Sequence, residues 1–269
     1  MPANSAIEKV FLDELYGMVA DNSLILPTLP EMALRIRDLA EDDDTSLADI
    51  SKAISSDPAL AARVVQVANS PAFRTRTTFN SVDMAVKRLG GNMIKNIVTS
   101  MVMEQLFQST TEVTDRKLRN YWHHATEVSQ LAMEIAQFHR HLAVDQAMLA
   151  GLIHDIGVLP IISLAEEFPE LLRNEAQLDR LLRNAHTAVG TAILKDWHFS
   201  DEMIAVCEHH EDLQYHTEGP AEYVELIIAA NMLSGHKKAD MAAIAEMRDI
   251  PAFDKLGLAD LSATLAQSA

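Results

Sequence analysis

The chain has a single cysteine, Cys207, in 269 residues. That excludes an intramolecular disulfide and fits a reducing, cytoplasmic setting. Cys207 closes the apolar run Met203-Ile-Ala-Val-Cys207 and reads as a small core residue rather than a nucleophile. Glycine and proline are sparse, at nine each. Positive charge is scarce as well: 22 Lys and Arg stand against 39 Asp and Glu, for a formal charge of −17. A field of that sign excludes binding to nucleic acid or an anionic membrane through bulk charge. No uninterrupted apolar run looks long enough to span a bilayer. The opening Met-Pro-Ala-Asn-Ser-Ala-Ile-Glu-Lys lacks the apolar region of a signal peptide.

What is present is helical pattern with clear punctuation, and the expected fold class is all-α. Residues 5–20 place Ile7, Val10, Phe11, Leu15 and Met18 on one face. Ser46, with Asp49 three residues later, predicts a capped helix over Leu47–Ser55. Asp57-Pro58 opens another through Ala68. Ser81 caps Val82–Leu89, and Asn92 is expected to cap a helix reaching about Phe107. The run 41–44, Glu-Asp-Asp-Asp, lacks EF-hand spacing and reads as a solvated loop. Longer helices are expected from Arg116 to about Phe138, from Val144 to His154, from His186 to Trp197, over Met203–His210 and over Tyr223–Leu233. Nothing reads as a strand or a repeat.

The most informative stretch is Gly151-Leu-Ile-His-Asp-Ile-Gly-Val-Leu-Pro160. It sets His154 and Asp155 side by side in an apolar run, where unpartnered polar groups cost several kcal/mol. Neighbours on a regular helix point about 100° apart, so the pair serves one centre most easily where a helix ends. Gly157 and Pro160 are expected to supply that ending. Both side chains are good ligands for a divalent cation. A capped Asp beside a core His is the plainer reading, but it leaves His124, His186 and the pair His209-His210 unexplained. His123, His139, His141, His198, His216 and His236 read as surface residues.

Four short motifs occur in order: Leu26-Pro-Thr-Leu-Pro30, Asp57-Pro-Ala-Leu60, Ala68-Asn-Ser-Pro71 and Ala85-Val-Lys-Arg-Leu-Gly90. Followed by the Trp122 and His154-Asp155 regions, they resemble the HDOD family, bacterial signalling domains related to the HD and HD-GYP phosphohydrolases. The resemblance covers nearly the whole chain. It implies an N-terminal bundle of short helices over 1–112 and an HD-like helical lobe over 113–269. It further implies a metal set of His124, His154, Asp155, His186, His209 and His210, with Asp155 bridging two ions in the branch that cleaves cyclic dinucleotides. A divalent transition metal (Mn, Fe, Zn or Ni) would generate a nucleophile from water and neutralise phosphate oxygens.

The sequence departs from the HD pattern in two places. The closing acid should lie on the Tyr223–Leu233 helix, where Asn231 stands instead; a neutral amide is a weaker ligand. The Gly-Tyr-Pro loop after the paired histidines is also missing, and the chain reads Glu211-Asp-Leu-Gln-Tyr-His216, in which Glu211 or Asp212 could offer an oxygen. The resemblance therefore implies a bacterial, cytoplasmic signalling module acting through protein partners, with little or no hydrolysis and its input supplied in trans. Two alternatives remain: a metal-dependent phosphohydrolase acting on a nucleotide or cyclic dinucleotide, with Asp155 essential, and a sensor that binds a nucleotide without cleaving it.

Overall fold

The structure is a computed structural model, and it describes residues 2–21, 39, 45–56, 58–69, 79–103, 106–107, 111–234 and 249–258. The expectations for 26–38, the acidic run 41–44, Asp57, Ser70-Pro71 and His236 lie outside the described residues. All regular structure among the described residues is helical, as the patterning implied.

The chain divides into two compact units. One spans residues 28–106 and contains α2 (Leu47–Ser55), α3 (Pro58–Ala68), α4 (Val82–Leu89) and α5 (Gly91–Met103). Local chemistry sets its boundaries. Ser46 and Asp49 form the reciprocal capping box, each side chain bonding to the other's backbone N–H. The Ser81 hydroxyl accepts from the Met84 amide. Gly90 takes φ +82°, a left-handed value that stops α4 and turns the chain straight into α5. Asn92 therefore lies inside the first turn of α5 and is not its cap. Asn69 staples the end of α3 to Phe79, donating to the Phe79 carbonyl at 2.8 Å and accepting from its amide at 2.8 Å. Ile54, Val64, Val86, Ile94 and Val98 form the centre of this unit's core.

The other unit joins residues 1–27 to 107–269. Here the structure differs from a division at 1–112. Helix α1 (Pro2–Ala20) buries Phe11 and Leu15 completely, and Phe11 meets Phe168 edge-on at 5.3 Å. Val10, expected on the same face, is 55% exposed. The frame of the unit is α6 (Glu112–Ala136), α7 (Val144–Ile153), α8 (Val158–Ala165), α9 (Pro169–Arg173), α10 (Glu175–Asp196), α11 (Asp201–His209), α12 (Tyr223–Ser234) and α13 (Pro251–Lys255). Thr111 caps α6 by accepting from the Thr114 amide, so the polar stretch before Arg116 is helix rather than junction. The stretch Val144–Ala165 is, by length and hydropathy, able to cross a membrane, which corrects the expectation that no run qualifies. With 94% of its apolar window buried inside the protein, it acts as a core element.

α7 ends at Ile153 as expected, for a different reason. Gly157 has φ −64°, which any residue adopts, and Pro160 sits in the first turn of α8, where its missing N–H costs nothing. Gly157 is needed for close approach instead. A Cβ there would lie 1.9 Å from the His186 carbonyl oxygen. Gly190 answers it from α10, since a Cβ at that position would lie 2.4 Å from the Cys207 sulfur. Gly190 therefore packs closely as well.

Candidate metal centre

Three helices and one turn bring polar groups to a common interior point. His124 comes from the middle of α6, His154 and Asp155 from the turn after α7, His186 from α10, and His210 from the C-terminal end of α11. His154 and His210 are fully buried at the side chain, and His186 and Asp155 nearly so. His124 remains 32% exposed.

Each ring is oriented by its Nδ1 atom. His154 Nδ1 lies 2.8 Å from the Gly151 carbonyl, His186 Nδ1 2.9 Å from that of Leu182, and His210 Nδ1 3.1 Å from that of Val206. A carbonyl only accepts, so each Nδ1 carries the proton. The Ser234 hydroxyl donates to the Asn231 carbonyl at 2.7 Å, leaving its oxygen to accept from His124 Nδ1 at 3.3 Å. All four Nε2 lone pairs therefore face inward. Metal-binding histidines are held this way, because the second nitrogen fixes tautomer and direction.

Asp155 divides the cluster into two halves. Its Oδ2 lies 3.4 Å from His154 Nε2 and 3.9 Å from His124 Nε2, which are 3.3 Å apart. Its Oδ1 lies 3.3 Å from both His186 Nε2 and His210 Nε2, which are 3.1 Å apart. Ligand atoms about 2.1 Å from one ion sit roughly 3.4 Å apart in tetrahedral geometry and roughly 3.0 Å apart at octahedral edges. The donor set fits a divalent cation in either half, with one carboxylate oxygen per half.

Facing lone pairs repel, and the titration of the cluster reflects that strain. Burial drives the His154 pKa down to about 3, against the pull of Asp155, so this ring is neutral. Burial also opposes ionisation of Asp155, but the surrounding imidazoles outweigh it and hold the carboxyl below its ordinary value. His210 goes the other way: burial lowers its pKa, yet the hydrogen bond to Asp155 and that group's charge raise it overall. Burial raises the Cys207 thiol, whose sulfur lies 3.2 Å from the His154 carbonyl, so it stays protonated and part of the packing.

Of the six histidine and aspartate positions the sequence singled out, the structure gathers five. His209 is outside the cluster, its ring stacked on Tyr215 at 5.1 Å. Adjacent residues at a helix end point about 100° apart, so once His210 turns inward His209 turns away. Asn231 is half-buried on α12 and reaches the centre through its backbone carbonyl and Ser234. Glu211 stands at the edge, 3.8 Å from His210 Nε2 and 4.0 Å from His186 Nε2. Asp212 instead caps its own turn at Gln214. His123 is exposed, as expected, near Glu127.

Sequence reasoning missed Ser234, which carries no metal-ligand signature, and the wall of an adjoining cavity of about 280 Å³. His124, Asp155 and His186 form its floor; Asn120, Tyr121, Arg183 and Glu211 form the sides. Asn120 and Tyr121 lie one turn before His124, and Arg183 one turn before His186, a spacing that could have found them.

Comparison with known proteins agrees with this geometry. Residues 26–213 match the HDOD domain. A presumptive metal-dependent phosphohydrolase from Shewanella amazonensis SB2B is 32% identical, with a TM-score of 0.79 over 95% of this chain and 98% of that one. An HDOD domain protein of unknown function from Geobacter sulfurreducens shares the fold at 22% identity, with a TM-score of 0.66 over 90% of this chain and 89% of that one. An uncharacterized protein from Treponema pallidum (strain Nichols) is 27% identical over 236 residues, 81% of this chain. The chain spans 44% of the length of that curated relative.

Proposed function

The chain belongs to the HDOD domain family, and from that premise we propose that it is a regulatory protein built around a divalent-metal centre. In this reading the centre holds a phosphate-bearing ligand with little or no hydrolysis, and the output passes through contacts with a signalling protein partner. The observation that carries it is the pairing of inward Nε2 atoms with one Asp155 oxygen in each half, closed on the α12 side by the neutral Asn231 and Ser234. His124, His154 and Asp155 would hold one ion; Asp155, His186 and His210 would hold the other. Such an ion, when bound, neutralises phosphoryl oxygens and lowers the pKa of a coordinated water. The residues of the chain do the rest. Nδ1 donors hold the rings in register, and burial keeps bulk water from the His154 ring.

Without a carboxylate from α12, positive charge at the centre is less compensated than in a set with two acids. That favours binding an anion over rapid turnover. A mixed imidazole and carboxylate set suits Mn, Fe, Zn or Ni. The acidic balance of the chain argues against nucleic acid or membrane partners.

The second reading is a metal-dependent phosphohydrolase, supported by the 32% identity to the Shewanella amazonensis protein and by the Asp155 bridge. Elemental analysis of the purified protein, paired with an aryl phosphodiester assay, separates the two. Metal without hydrolysis supports the regulatory reading, and metal with rapid hydrolysis abolished by Asp155→Ala supports the enzyme. Protein that takes up no Mn, Fe, Zn or Ni would remove the foundation of both.

A further inference from the structure

Long side chains link helices α6 and α10, and the residues of the two helices change character turn by turn. At the first level Arg116 pairs with Glu175 at 2.6 Å, and Lys117 with Asp179 at 2.5 Å and Glu175 at 3.5 Å. Every cation at that level has an acid. One turn further, about 6 Å along the axes, come Asn120 and Tyr121 on α6 and Arg183 on α10. One turn beyond those stand His124 and His186, in the cluster itself. Arg183 breaks the pattern. Among the described residues no acid pairs with its guanidinium, although the chain carries an excess of 17 negative charges. Its backbone carbonyl is 3.1 Å from His186 Nδ1, which ties its position to that of the ring.

The other two groups at this level are also donors. Burial, reinforced by the charge of Asp155, raises the Tyr121 phenol, so it keeps its proton at any physiological pH. The Asn120 amide adds two N–H groups at the rim. A guanidinium, a phenol and an amide above a floor of imidazoles match the non-bridging oxygens of a phosphoryl group, which accept and do not donate. Glu211 is the one carboxylate in the wall, and it lies on the His186–His210 side. The cavity, at about 280 Å³, is at the small end for ligand sites. It is large enough to take a phosphoryl group with one attached ring system.

We propose that Arg183, with Tyr121 and Asn120, forms an anion subsite that holds the phosphoryl end of a phosphomonoester or single nucleotide against the histidine cluster. This rests on the metal-centre reading and supplies its ligand class. Arg183 touches no metal-donor atom, so its removal leaves the centre itself in place.

The test uses inorganic phosphate and a nucleoside monophosphate as probes, titrated calorimetrically into the full chain, once loaded with Mn²⁺ and once after chelation. Metal content is measured on the same samples. For Arg183→Gln, Mn²⁺ content should equal that of the wild type while affinity for both probes falls at least tenfold; Arg183→Lys should recover part of it, since a point charge lacks the guanidinium fork. Equal probe affinity in wild type and R183Q would overturn the subsite while leaving the metal centre standing. Protein that takes up no metal yet binds phosphate through Arg183 would keep the subsite and remove the centre. Failure of phosphate to bind in either form would also overturn the proposal.

Discussion

Two buried carboxylates sit in the same unit and are treated in opposite ways. Glu225, fully buried on α12, is satisfied on every side: Lys255 pairs with it, Thr217 donates through both amide and hydroxyl, and the Glu222 amide donates at 2.6 Å. Burial opposes its ionisation, but these donors outweigh it and lower its pKa. Asp155 is buried as deeply, yet its neighbours are four Nε2 atoms whose orienting protons point elsewhere. A carboxylate whose donors are built in holds structure together. One surrounded by groups that themselves want a cation is held ready for a ligand.

Removing the satisfied acid should have the largest effect. Glu225→Ala leaves Lys255 and the Thr217 donors without their acceptor, and breaking such a pair costs roughly 3–5 kcal/mol. Urea unfolding measures it, and a loss under about 1 kcal/mol would erase the contrast between the sites. Asp155→Asn should behave in the reverse way. Its metal content should drop more than tenfold while the chelated protein unfolds within roughly 1 kcal/mol of wild type, because the Asn oxygen still accepts from His210. Equal destabilisation by the two changes would show Asp155 to be structural.

Acid should sharpen the same contrast. His154, lowered from 6.5 to about 3, binds its proton more readily when unfolded. The contribution of His154 to the stability of the chelated protein should therefore be fully present above pH 6.5 and be lost steadily as pH drops from 6.5 toward 3. His210, raised, contributes in the opposite sense and loses its share as pH rises. Glu225, also lowered, adds to the loss only below the ordinary carboxylate range. Bound metal competes with protons for the same imidazoles. Because the His210 pKa is raised, metal affinity should already weaken above pH 6.5, which titration with a competing chelator reads out. The smallest expected effect is that of Ser234→Ala, which removes the partner of His124 Nδ1. Metal affinity in the His124–His154 half should fall about tenfold, with the His186–His210 half unchanged. Loss from both halves would mean that the two do not load independently.

Local signals could be read wherever chemistry is local. The Ser46–Asp49 box and the Ser81 cap fixed α2 and α4 to the residue, because a hydroxyl and an amide three positions apart meet whatever else surrounds them. Val10 failed because its helical face is shared with Phe11 and Leu15, and only packing decides how much of a face is covered. At the centre, the resemblance to the HD pattern singled out His124, His154, Asp155, His186, His209 and His210. It could not separate His209 from His210, since which of two neighbours turns inward depends on how α11 is rotated against its neighbours. Gly157 was noticed for the wrong reason. Its need for space comes from the His186 carbonyl, 29 positions away in sequence.

By itself the sequence determined an all-α chain with a histidine-and-aspartate centre, because helix periodicity, caps and the order of ligand types are properties of short segments. Only the tertiary structure decided that Asp155 shares its two oxygens between two imidazole pairs, that α1 completes the unit holding them, and that Arg183 lines the cavity beside the centre with no acid paired to it among the described residues. Those facts are distances between segments, and such distances exist only once the helices have packed.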